Sequence, residues 1–230
     1  MTQKTILCYG DSNTWGFVPS AEGFVPNMDK KILPVKRYCR TERWTGILQD
    51  LLGENYYVIE EGLNGRTTNL NYHIPPDRNG KTYLPSCLYT HAPIDLVILA
   101  LGTNDLKVYF NRSAEDICNG LAELIDIIQT SPYGLEMLAA PKILIMAPSI
   151  LLPIAETFKD GSGANVFAGA VKKSKQLVVL YSELVKEKNC YFLDVSKDIT
   201  PSEIDGGHLD NEAHKKCAEM VCRKTKEIFR

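Results

Sequence analysis

The chain has 230 residues, 44% hydrophobic and 23% charged, which excludes disorder, collagen and coiled coil and suits about 1.5 average domains, or one large α/β domain. Its 26 Lys and Arg nearly cancel 28 Asp and Glu, leaving a net charge of −2 and no polybasic face for nucleic acid. No apolar run approaches the length of about 18 residues that a membrane span needs, so no membrane partner is expected.

Met1-Thr2-Gln3-Lys4 leads directly into the apolar segment Thr5–Tyr9, which is too short for a signal-peptide core and lacks a small-residue cleavage site. The 7 cysteines are an odd, scattered set without a Cys-x-x-Cys pair, and several fall in apolar periodic stretches where a free thiol acts as a small hydrophobe. A cytoplasmic, reducing location is the expectation. Thr5–Tyr9 is the first of five short runs rich in Val, Ile, Leu and Tyr; the others are Tyr56–Glu60, Asp95–Leu101, Lys142–Ala147 and Cys190–Val195. Such runs, bounded by turn residues, predict parallel strands buried on both faces.

Helical spacing lies between them. Trp44, Ile47, Leu48, Leu51 and Leu52 form an apolar stripe stopped by Gly53. Ser113 with Asp116 predicts a capped start for the stripe Ile117, Leu121, Leu124, Ile125 and Ile128. Further helices are predicted from about Val166 to Lys188 and from Asn211 to Phe229. This alternation predicts a single domain over residues 1–230, a three-layer, doubly wound α/β fold of about five parallel strands with right-handed crossovers. The strand order is expected to be flavodoxin-like, although the pattern itself leaves it open. Three stretches fall outside the alternation, Phe17–Arg40, Asn69–His91 and Ser149–Ala164; as long loops they are expected to be lids, binding walls or contacts in a homo-oligomer.

In open α/β sheets, ligands sit beyond the carboxyl ends of the strands. Gly10-Asp11-Ser12-Asn13-Thr14-Trp15-Gly16 follows the first strand, Glu61-Gly62-Leu63-Asn64-Gly65-Arg66-Thr67-Thr68 the second, and Gly102-Thr103-Asn104-Asp105 the third. Asp205-Gly206-Gly207-His208-Leu209 stands ahead of the last helix. Singly, each has a plain reading: Gly-Asp-Ser as a phosphate loop or capped turn, Asn104 as a turn former, His208 as a surface residue or cap. Together they meet the needs of acyl transfer: a nucleophile (Ser12), a base (His208), an acid three residues before it (Asp205), and donors for an oxyanion from the Ser12 and Gly65 N–H groups and the Asn104 amide.

These four blocks, in this order, resemble the GDSL/SGNH hydrolase family from near residue 5 to near residue 210. Arg43-Trp44-Thr45-Gly46 and Glu60–Thr68 resemble its arylesterase and acyltransferase branch. The resemblance implies the SGNH hydrolase fold, Ser12 as nucleophile, His208 as base, Asp205 as orienting acid, an oxyanion hole of Ser12, Gly65 and Asn104, and no metal or organic cofactor. The expected partner is a small-molecule ester with a short acyl chain, aryl, alkyl or acetylated carbohydrate, with transfer to alcohols implied by the branch. Two residues depart from the pattern. Asn13 stands where the family name carries leucine, expected to touch packing and not the proton relay, and Phe17 follows Gly16 where the branch often has tryptophan. Asp11, Trp15 and Phe17 are candidate pocket residues, and Phe24 is a further aromatic offered by the loops.

The other titratable groups have plain readings. His73 and His91 lie in the second long stretch without a metal-ligand pattern. His214 is expected on the solvent face of the last helix, Asp11 to hold its turn, and Cys8 to be core. Asp194 rivals Asp205 as orienting acid but lacks its short tether to His208. A flavodoxin-like small-molecule or anion-binding or signalling module is the alternative to an esterase; it has no need of Asp205 and His208.

Overall fold

The predicted strands pair into one five-stranded sheet, all parallel, in the computed structural model, which describes residues 3–21, 35–72, 77–159 and 162–230. In chain order the elements are β1 (Lys4–Gly10), α1 (Ser12–Trp15), α2 (Trp44–Leu52), β2 (Tyr56–Gly62), α3 (Gly80–His91), β3 (Leu96–Ala100), α4 (Ala114–Gln129), β4 (Lys142–Ala147), α5 (Ala170–Glu187), β5 (Tyr191–Asp194) and α6 (Asn211–Ile228). The sheet order is β2-β1-β3-β4-β5, the flavodoxin-like order.

Strand alternation sorts side chains between two cores. Ile6 and Cys8 of β1, Leu96 and Ile98 of β3, and Leu144 and Met146 of β4 point to the face covered by Trp44 and Leu48 of α2 and Cys217 and Val221 of α6. Leu7, Tyr9, Val97, Leu99, Ile143 and Ile145 point to the other face, covered by α3, α4 and α5 through Leu84, Leu121, Ile125 and Leu177. Among the described residues, no helix is long and apolar enough to cross a membrane.

Several expectations need correction. Asn69–His91 is not a continuous loop: its second half is α3, capped by the Asn79 side chain, which accepts from the Thr82 N–H. Leu84, Cys87 and Leu88 supply a buried i, i+3, i+4 stripe, but Pro85 inside the helix removes a donor and hides the signal. The helix expected from Val166 begins at Ala170, because Gly169, at φ +75°, breaks the helical path just before it. The Ser149–Ala164 stretch includes a 3₁₀ turn at Pro153–Thr157. His214 does not face solvent; it is fully buried against α2. Its position was legible, since His214, Cys217, Ala218, Val221 and Thr225 share one helical stripe, all of it buried. His73, Phe24 and much of Phe17–Arg40 lie outside the described residues.

Candidate active site

The chain reverses its direction of winding between β1 and β3, and this switch point opens a crevice at the carboxyl ends of the strands. Ser12 begins α1 immediately after β1. Asp11 caps that short helix by accepting the Asn13 N–H at 3.0 Å, which fits the expectation that it holds the turn. Gly62, at the end of β2, lets α1 pack this closely: a Cβ there would lie 2.2 Å from the Trp15 nitrogen. Burial raises the Asp11 carboxyl to about 6 against the opposing Asn13 N–H bond and the charges of His208, Lys107 and Arg66.

The loop before α6 carries the other partners. Asp205 Oδ1 accepts the N–H groups of Gly207 at 3.0 Å and His208 at 2.9 Å, folding the loop about its own carboxylate. That leaves Oδ2 at 2.8 Å from His208 Nδ1, while His208 Nε2 lies 3.0 Å from Ser12 Oγ. All three side chains are buried, and Oδ2 also accepts the Ser20 N–H at 3.2 Å. Burial works to raise the Asp205 carboxyl, but the hydrogen bonds and charge of His208, with the Gly207 and His208 N–H groups, hold it below the usual range. The partners assign the tautomer: Nδ1 carries the proton toward Asp205 and Nε2 accepts from the serine. A hydroxyl, an imidazole and a carboxylate so linked can move a proton off the hydroxyl as it attacks an acyl carbon. Asp194 takes no part; it caps Ser196 at 3.0 Å beyond β5.

The segments after β2 and β3 are tied together. The Asn104 amide donates to the Arg66 carbonyl at 3.2 Å, and the buried Asp105 carboxylate accepts the Thr68 N–H and hydroxyl at 3.0 and 2.5 Å. Gly65 sits at φ +81°, a conformation few side chains tolerate, so the Leu63–Arg66 turn can hold its backbone close to Asn104.

Sequence reasoning missed the parts played by Asn13 and Lys107. Asn13 does more than pack: its Nδ2 donates to the Gly207 carbonyl at 3.1 Å and its Oδ1 accepts the Leu209 N–H at 2.9 Å, clasping the backbone on both sides of His208. These bonds go to the backbone flanking His208 and not to the relay atoms themselves, and their only signal was the departure from leucine. Phe17, a pocket candidate, stacks on the His208 ring at 4.1 Å with 21° between planes. Lys107, three residues past Asn104, is buried, donates to the Tyr72 hydroxyl at 2.8 Å, and is pulled by burial to about 7, with Asp11 and Asp105 opposing. Trp15, the remaining pocket candidate, lies under the Arg37 guanidinium at 4.9 Å and gives its carbonyl to Arg37 Nε at 2.6 Å. Asp11 borders a small cavity of about 30 Å³ shared with Asn13, Thr14, Thr103 and Ser149.

Comparison with known proteins selects among the readings of this geometry. Residues 8–216 match the model of the GDSL-like lipase/acylhydrolase family. The chain belongs to that family. As a GDSL acylhydrolase it is a carboxylic ester hydrolase, which removes the alternative of a non-catalytic flavodoxin-like module. The aryl esterase of M. smegmatis is 36% identical, with a TM-score of 0.86 over 97% of this chain and 99% of that one. Est24, a carbohydrate acetylesterase from Sinorhizobium meliloti, is also 36% identical, with a TM-score of 0.86 over 98% of this chain and 100% of its own. TesA, 17% identical at a TM-score of 0.62 over 97% of this chain and 99% of its own, shares the fold. Comparison with curated protein sequences finds no match.

Proposed function

We propose that this GDSL acylhydrolase is a serine esterase for short-chain acyl esters, working through an acyl-enzyme on Ser12. The reading rests on one observation, the chain Ser12 Oγ to His208 Nε2 at 3.0 Å and His208 Nδ1 to Asp205 Oδ2 at 2.8 Å. Ser12 Oγ attacks the ester carbonyl while its proton passes to His208 Nε2, and Asp205 stabilises the imidazolium without taking the proton. The carbonyl oxygen, now negative, is held by the N–H groups of Ser12 and Gly65 and by the Asn104 Nδ2–H that Arg66 does not use. Collapse of the tetrahedral species expels the alcohol, which takes the proton from His208. Water then attacks the acyl-enzyme by the same steps in reverse, and an alcohol in place of water gives transfer.

The similarity to an aryl esterase and a carbohydrate acetylesterase supports small acyl groups on either kind of alcohol. The Phe17 ring over His208 supports an apolar wall beside the nucleophile, with Asp11 and Trp15 on the same turn. The test is a series of p-nitrophenyl esters of increasing acyl length on the wild type and Ser12→Ala. Turnover falling steeply beyond short acyl chains, and lost in Ser12→Ala, is the expected result; activity persisting in Ser12→Ala refutes the reading.

A further inference from the structure

β2 ends in two consecutive carboxylates that alternation sends to opposite faces of the sheet. Glu60 goes to the α2 side, where Arg43 and Thr45 hold it. Glu61 goes to the α3 side, and what meets it there is a different kind of chemistry. His91 Nε2 lies 2.8 Å from Glu61 Oε1, and the Tyr83 hydroxyl donates to the same oxygen at 3.3 Å. Cys87 and His91 are one helical turn apart on α3, so both side chains leave the same face toward Glu61. The carboxylate oxygen, the thiol sulfur and the imidazole nitrogen all lie within 4.8 Å of one another. The cluster shares no residue with the Ser12, His208 and Asp205 chain.

We propose that Glu61, Cys87 and His91 form a binding site for a zinc-type divalent ion. A tetrahedral zinc with bonds of about 2.0–2.3 Å sets its ligand atoms about 3.3–3.7 Å apart. The His91–Glu61 pair lies at 2.8 Å and all three ligand atoms lie within 4.8 Å of one another, so side-chain shifts of about an ångström bring them to that spacing. Thiolate, imidazole and carboxylate together select zinc over the oxygen-seeking magnesium and calcium ions. Three protein ligands leave a fourth position, as in open zinc sites. Of the three ligands, Glu61 also borders a cleft of about 490 Å³ that it shares with Arg66, Asn79, Tyr83 and Ser86. Binding balances simply: Cys87 forms its bond to the metal and releases one proton to solvent, while His91 moves its proton to Nδ1 and coordinates through Nε2. A zinc ion here would run against the plain reading of His91 and the expectation of no metal. It would anchor α3 to the end of β2, beside the turn that carries Gly65.

Cobalt(II) serves as the spectroscopic probe, added to the full-length, chelator-stripped and reduced protein, with zinc competing by calorimetry. The expected result is one equivalent of cobalt giving a thiolate-to-metal charge-transfer band that zinc abolishes, and a Tm that rises with zinc. His91→Ala, Glu61→Gln and Cys87→Ser should each weaken zinc binding at least about 100-fold, beyond the 10–100-fold typical of changes around a ligand shell. Cys39→Ser, which removes an exposed thiol, should leave the band in place. Should Cys87→Ser fail to fold, His91→Ala decides, because the His91 side chain is 25% exposed and its loss opens no sealed cavity. Absence of the band, its survival in His91→Ala, or its loss in Cys39→Ser overturns the proposal.

Discussion

Replacing Asn13 by leucine, the residue that the GDSL motif carries at that position, removes both hydrogen bonds that clasp the histidine loop. The Gly207 carbonyl loses a donor at 3.1 Å and the Leu209 N–H an acceptor at 2.9 Å, while the Asp205 contacts within the loop stay in place. Two such bonds at about 0.5–1.5 kcal/mol each put the loss of stability at about 1–3 kcal/mol, or roughly 2–4 °C in Tm for each kcal/mol. Catalysis should suffer more. A displacement of His208 of about 1 Å from Ser12 Oγ costs up to about 10²-fold in turnover, and it acts on kcat because substrate binding does not use the imidazole. Asn13→Asp keeps the acceptor for Leu209 but faces the Gly207 carbonyl with a second acceptor, so it should fall between wild type and Asn13→Leu. The assays are kcat and KM on a short-chain p-nitrophenyl ester, the rate of Ser12 labelling by a fluorophosphonate, and thermal melting. Wild-type kcat and labelling rate in a folded Asn13→Leu would refute the positioning argument.

If Ser12 and His208 act as a unit, Ser12→Ala, His208→Ala and the double variant should lose similar, very large factors of turnover; additive losses would separate the two residues. Asn104→Ala should lower kcat by roughly 10²–10³, about 2.7–4 kcal/mol, whereas a rise in KM at constant kcat would make Asn104 a substrate-binding residue. Burial holds His214 near a pKa of about 4, against 6.5 when unfolded, with Nδ1 capping α2 through the Trp44 N–H. Between pH 6.5 and 4 the unfolded chain takes up a proton that the folded one refuses, so up to about 3 kcal/mol of stability, present above pH 6.5, is lost as pH falls. Denaturant unfolding of His214→Gln should lack that part of the acid-side decline, and an unchanged pH slope would contradict it. With dilute butanol and an activated acetyl ester, butyl acetate should exceed the molar ratio of alcohol to water, since about 0.8 kcal/mol per buried CH₂ favours the butyl chain by some 10²-fold; partitioning at the molar ratio would leave a plain hydrolase.

Local chemistry made the five strands, four of the helices and the strand-end blocks readable from the chain alone. Runs such as Lys142–Ala147 are apolar on both faces, and the Asp205–His208 tether spans only three residues, so neighbours in sequence carry the whole signal. Where a signal is present but weak, it is hidden: Pro85 obscures α3, and His214 is a polar residue on a buried helical stripe. Other features exist only once the sheet is assembled. Asn13 meets Gly207 and Leu209 across 194 and 196 residues, Thr68 meets Asp105 across 37, and Glu61 meets His91 across 30. The order β2-β1-β3-β4-β5 places those ends side by side. Such pairings depend on which strand lies beside which, a choice made by burying both faces of the sheet at once, and no short stretch of sequence encodes it.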